Sequence, residues 1–239
     1  MGKASSQKQS RRELIEKMQR DQARSDKRRT WIIVAASILV GLAIIAYPAI
    51  RVIQDSRTAD QAITAFGASP SEASCDKVID DKATGTQDHK PDGEMIAYPV
   101  SPPSSGPHYQ TWAPFGKKFY TADDRPPVPN LVHNLEHGYT ILWYRDSLPQ
   151  EQVDEIEKIS KAKLPESTLG KFIAAPFSDS DGPAWPAGKQ VAFSHWSGNT
   201  AGQQTALGHR QFCNAVSGQA LKEFMEKYPA MDAQEPNGG

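Results

Sequence analysis

The stretch WIIVAASILVGLAIIAYPAI, Trp31–Ile50, is twenty residues long and carries no charged side chain. Roughly 20 mostly apolar residues in helical form cross the hydrocarbon layer of a bilayer. The run therefore predicts one transmembrane helix, bounded at 30–53 once its flanks are included. Trp31 and Tyr47 stand where aromatic side chains meet a membrane interface, and Pro48 is a kink point. Upstream, residues 1–29 hold ten Lys/Arg against four Asp/Glu, whereas the whole chain has a net charge of −1. Positive flanks stay in the cytoplasm, so the amino terminus is expected inside and everything beyond about Arg51 outside. A cleaved signal peptide has an apolar core of roughly 7–15 residues and a small-residue cleavage site. This run is longer, its basic flank is extended and no clear site follows, which favours an uncleaved signal anchor.

The basic segment 1–29 carries Leu14, Ile15 and Met18 at helical spacing in a charged field. That pattern suits a helix lying on anionic lipid, but a solvated topology signal is the simpler reading. Nucleic acid is not an expected partner, because aromatic side chains are missing from the basic run.

Residues 54–72 read as a stalk, 73–232 as one extracytoplasmic domain and 233–239 as a disordered, glycine-containing tail. The domain has two cysteines, Cys75 and Cys213. Thiols outside the membrane tend to pair, so a Cys75–Cys213 bridge is expected. Residues 96–130 are proline-dense and should run as irregular extended chain. Tyr139–Arg145 is continuous, β-branched and aromatic, a core strand. A helix follows Pro149, with Val153, Ile156 and Ile159 on one face. Lys171–Ala175 and Gln190–Trp196 read as two more strands, and a last helix runs over Gln219–Tyr228. The order strand, helix, strand, strand, helix predicts an α+β domain, a small sheet packed by helices on a face.

Two blocks carry chemistry. One is SPPSSGPHY, Ser101–Tyr109; the other is NLVHNLEHG, Asn130–Gly138. His133 and His137 lie four apart, on one side of either a helix or a strand. With Glu136 beside them and His108 presented by rigid proline-rich chain, they form a candidate transition-metal set, and imidazole suits copper or zinc. Met95 could add a soft ligand for copper(I). His133-Asn-Leu-Glu-His137 also fits H-x-x-E-H, the inverted zinc-peptidase motif. The crowding of Pro126, Pro127 and Pro129 on one side and Gly138 on the other leaves room for about two helical turns, which argues against that architecture. The bland alternative makes these histidines structural and Glu136 an ordinary carboxylate paired with Arg125 or Arg145. His195 reads as core, and His89 and His209 as peripheral. Serine or cysteine hydrolysis has no support, since no G-x-S-x-G is present and both cysteines are accounted for by the bridge.

The blocks PPSSGPH (102–108) and HNLEHG (133–138), followed by a β-run ending Trp143-Tyr144-Arg145, resemble domain-of-unknown-function family 3105, actinobacterial-type membrane-anchored proteins. The resemblance covers about 90–232, including Phe172–Pro176 and Val191–Trp196. It implies the anchored plan and marks those two blocks as characteristic, but implies no activity. The acidic ending of similar chains is reduced here to Ala233-Gln234-Glu235-Pro236. Three functions are compatible: a non-catalytic copper- or zinc-binding protein, an accessory subunit of a larger membrane (for example respiratory) complex, or a zinc hydrolase. A non-enzyme is the preferred expectation.

Overall fold

The structure, a computed structural model, describes residues 2–198 and 205–238. The side chains of residues 2–15, including Leu14 and Ile15, lie outside the described residues, as does Gly239. The chain divides into two compact units, Met1–Ser56 and Arg57–Gly239. The first is built from helix α1 (Gly2–Ala59), which contains the apolar run. Its large apolar side chains between Trp31 and Ile53, Ile44 and Ile45 among them, are exposed. Among the described residues this is the one helix long and apolar enough to cross a membrane.

The second unit is mixed α and β. In chain order it has β1 (Ile79–Lys82), β2 (His89–Lys90), β3 (His108–Tyr109), α2 (Val128–Glu136), β4 (Thr140–Arg145), α3 (Gln150–Lys161), β5 (Phe172–Phe177), β6 (Val191–Ser197), β7 (Leu207–Cys213) and α4 (Gly218–Lys227). Five strands form one sheet in the order β1-β7-β6-β4-β5, and β2 with β3 make a separate parallel pair. β4 and β5 are parallel, joined through α3; the other pairings in the large sheet are antiparallel. The free edge of β5 is covered by the segment before α2: Tyr120 N–H donates to Ala174 O, and Ala174 N–H to Lys118 O. A covered edge cannot recruit another chain.

Both faces of the sheet are buried. Leu142, Tyr144, Phe172 and Phe193 pack with Ile156 and Ile159 of α3 and with Leu221, Phe224 and Met225 of α4. Ile141, Trp143, Ile173 and Trp196 pack with Leu131, Val132 and Leu135 of α2. Double burial is why β4 reads as a continuous apolar run rather than an alternating one. Helices thus lie on both faces, not on one.

Cys75 and Cys213 are joined by a disulfide spanning 138 positions. Three stretches depart from expectation. Ile63 and Phe66, placed in the stalk by sequence, are core residues, and Gly218 N–H donates to Phe66 O. The segment 233–238, expected to be disordered, is packed. Lys171 Nζ donates to the carbonyls of His137 (2.8 Å), Pro236 (2.7 Å) and Gly238 (3.0 Å). Strands β1 and β7 were not anticipated. Gly208, Arg210 and Gln211 interrupt the apolar pattern of β7, and the Arg210 guanidinium instead pairs with Asp81 of β1 at 2.6 Å.

Candidate metal centre

Helix α2 positions the site. Pro129 sits in its first turn, where a missing N–H costs nothing. Gly138 stops it: its φ of +87° is left-handed, and an added Cβ would lie 2.3 Å from the Ala230 carbonyl oxygen. All nine residues of α2 are buried. His133 and Glu136, three apart, therefore project together into the interior, toward the β2–β3 pair. In that pair His89 and His108 are direct register partners. One ligand atom each from His89, His108, His133 and Glu136 converge, all within 4.8 Å of one another.

Hydrogen bonds set the tautomers. The His108 Nδ1 faces Gly106 O at 2.9 Å, and the His133 Nδ1 faces Tyr109 O at 2.7 Å. A carbonyl only accepts, so both Nδ1 atoms carry the proton and both Nε2 atoms of the neutral rings carry a lone pair. A backbone carbonyl holding the far nitrogen of a histidine is the arrangement that orients metal-binding imidazoles. The Glu136 Oε1 accepts the Gln87 N–H at 2.7 Å. Its Oε2 lies 2.9 Å from His108 Nε2 and 3.8 Å from His89 Nε2. His108 is wholly buried, and neither its Nε2 nor the Glu136 Oε2 has an aligned hydrogen-bond partner. Two buried lone pairs facing each other need a cation between them, a proton or a metal ion.

The electrostatics match ligand duty. Burial lowers the His133 pKa to about 4, and the neighbouring His108, His137 and His89 add to this, against the Tyr109 hydrogen bond that raises it. The ring is neutral at pH 7, as a metal ligand must be. Burial pushes the Glu136 carboxyl upward. The Gln87 N–H and, when they are protonated, the His108 and His89 rings outweigh it, so the pKa stands below the ordinary value.

The sequence-derived set is thus rearranged. His108, His133 and Glu136 come together. His137 stacks on His133, ring centroids 4.7 Å apart, but lies outside the convergent group. His137 lines an open cleft of about 380 Å³ with His89, His133, Gln110, Trp112 and Glu235. Met95 is 95% exposed and is not among the cleft's lining residues, so it is withdrawn as a ligand. His89, read as peripheral, belongs to the group; only the β2–β3 pairing reveals it. Glu136 is not paired with either arginine, since Arg125 bonds Asp181 and Arg145 bonds Asp179. The peptidase motif also fits poorly. It needs His133 and His137 as ligands and a glutamate free to face water, whereas Glu136 is buried against His108.

A family model, Protein of unknown function (DUF3105), matches residues 89–239. The chain belongs to this family. No curated protein and no solved structure matches the chain. The DUF3105 match begins at His89 and runs through the packed segment that carries Glu235, so every convergent residue and the whole cleft lie inside it. DUF3105 carries no activity in its description, so any function must be argued from geometry.

A second polar network lies at the β6–β7 seam. His209, also read as peripheral, is buried. Its Nδ1 donates to Asp80 Oδ1 and its Nε2 accepts from Ser197 Oγ, each at 2.7 Å. Burial lowers its pKa, with Asp80 opposing. His195 Nε2 bonds Asp232 at 2.7 Å. The order hydroxyl, imidazole, carboxylate is that of a nucleophilic triad, but Ser197 is 1% exposed and Tyr228 stacks 3.8 Å from the His209 ring. The adjacent Gly198 N–H, which an oxyanion would need, donates to Asp232 O. We read this network as a structural tie between β1, β6, β7 and the chain after α4.

Proposed function

We propose that this protein is a membrane-anchored metal-binding protein. Its DUF3105 domain stands outside the membrane and holds one copper(II) or zinc ion through His89, His108, His133 and Glu136. The observation that carries the reading is the pair of buried, unpartnered acceptors, His108 Nε2 and Glu136 Oε2, 2.9 Å apart. A proton alone would join that pair, but the further convergence of His89 and His133 on the same point supports a metal ion. The three-nitrogen, one-oxygen donor set has no thiolate or thioether, which suits borderline divalent ions rather than copper(I). The disulfide agrees with a non-reducing compartment. The basic excess before the apolar helix supports the inside-to-outside orientation.

The test is elemental analysis of the full chain, purified in detergent and exposed to zinc or copper(II) and then dialysed. One equivalent per chain is expected, lost in His133→Ala and in Glu136→Gln. A chain that retains no more metal than those variants refutes the reading. Orientation is checked separately: protease added to intact cells should digest the domain and spare the basic segment.

A further inference from the structure

We propose that the metal centre keeps one exchangeable coordination position facing the cleft, and that a small anion occupies it. The inference rests on the metal-binding reading above. The four convergent groups are covered unequally. His108 and Glu136 are fully buried and contribute nothing to the cleft surface. His133 and the partly exposed His89 line it. Protein therefore closes the centre from behind and leaves its front to solvent. Structural zinc sites are closed on all sides, whereas reactive ones retain an open position.

The front is furnished. His137 and Glu235 line the same cleft, outside the set of convergent ligands. Glu235 is held in place: its N–H donates to Glu136 O at 3.0 Å, and its Oε1 accepts from the Gln87 side-chain amide at 3.0 Å. His137 has its Nδ1 against Glu235 O at 3.3 Å. Its position is tied by Lys171 through the carbonyl bond. With its Nδ1 proton toward Glu235 O, His137 offers an Nε2 lone pair and Glu235 a carboxylate, so both accept a hydrogen bond from water or hydroxide held at the open position, which azide would displace. A divalent ion with three neutral imidazoles and one carboxylate keeps a net charge of +1, which a single anionic donor neutralises. Trp112, half-exposed and T-shaped to both His133 and His137, forms one wall of the cleft.

The experiment uses the full chain in detergent, loaded with cobalt(II), whose visible absorption reports coordination number, and titrated with azide. A saturable spectral change at one azide per cobalt is expected. His137→Ala and, independently, Glu235→Gln should alter the azide affinity several-fold with cobalt stoichiometry unchanged. A cobalt-loaded protein whose spectrum azide does not move would mean a closed centre and would overturn this inference alone. Azide binding that neither variant changes would overturn the role given to the cleft residues. Failure to take up any cobalt, zinc or copper would instead sink the metal reading itself.

Discussion

Glu136 is the side chain whose replacement separates a metal centre from an ordinary buried ion pair. Glu136→Gln keeps the shape, still accepts the Gln87 N–H and turns an amide donor toward His108 Nε2. In metal-free protein it exchanges two facing acceptors for a hydrogen bond. Its unfolding free energy should stay equal or rise by about 1 kcal/mol, while metal affinity falls at least about tenfold, or roughly 1.4 kcal/mol. Denaturant unfolding with chelator, then with metal, checks both halves; a large loss of stability in chelator would favour a proton-bridged pair. His133 supplies the pH dependence. An unfolded histidine titrates near pH 6.5, and the folded ring near 4 because it is buried. The folded pKa is the lower one, so below about pH 6.5 the unfolded chain takes up the proton first. Metal-free protein should therefore lose stability from about pH 6.5 down to about 4, at up to roughly 1.4 kcal/mol per unit, and then level off for this group. Chemical unfolding across that window should show the slope, and His133→Gln should flatten it.

Helix α2 places two candidate ligands, and Asn130, His133 and Asn134 fasten it to the proline-rich segment. The Asn134 Oδ1 accepts the Ala113 N–H at 2.9 Å and its Nδ2 donates to Ala113 O at 3.0 Å, copying a strand partner. Asn134→Ala leaves both backbone groups buried and unpaired, at a cost of about 1–3 kcal/mol each. It should also shift the fluorescence of Trp112 next door. Gly138→Ala should cost about 2 kcal/mol or more, because the left-handed φ and the Ala230 carbonyl both oppose a Cβ. Gly116→Ala, with open space around it, is the neutral comparison in the same thermal melt. Legibility at this scale follows the environment. α3 and α4 each bury one face, so their 3.6-residue period shows in the sequence. α2 keeps the same period, with Val128, Leu131, Val132 and Leu135 at i, i+3, i+4 and i+7, but it is only nine residues long and its polar face is buried as well, so the pattern is brief and does not mark a solvent side. β7 was missed because its polar side chains are satisfied by β1, a partner about 129 positions away.

Across the whole domain, the disulfide closes a span of 138 positions. In the chain-entropy model a loop of that order is worth about 5 kcal/mol. For a domain of this size, reduction should lower the melting temperature by roughly 10–20 °C, readable by calorimetry with and without reductant. A shift of only a few degrees would mean that the reduced unfolded chain is already compact.

Some properties need no folding to be read. Twenty uncharged residues mark a helix long and apolar enough to cross a membrane, because hydropathy is a local property of the chain. The strands and helices that bury a single pattern are equally local. The convergent group of three histidines and Glu136 is of another kind. His133 and Glu136 are neighbours on one helix, but His89 and His108 reach them only through the β2–β3 pairing. His137, one position beyond Glu136, is turned to the cleft instead. Convergence of donors depends on long-range packing and on which backbone carbonyl holds each ring, and neither is written in the spacing of residues along the chain.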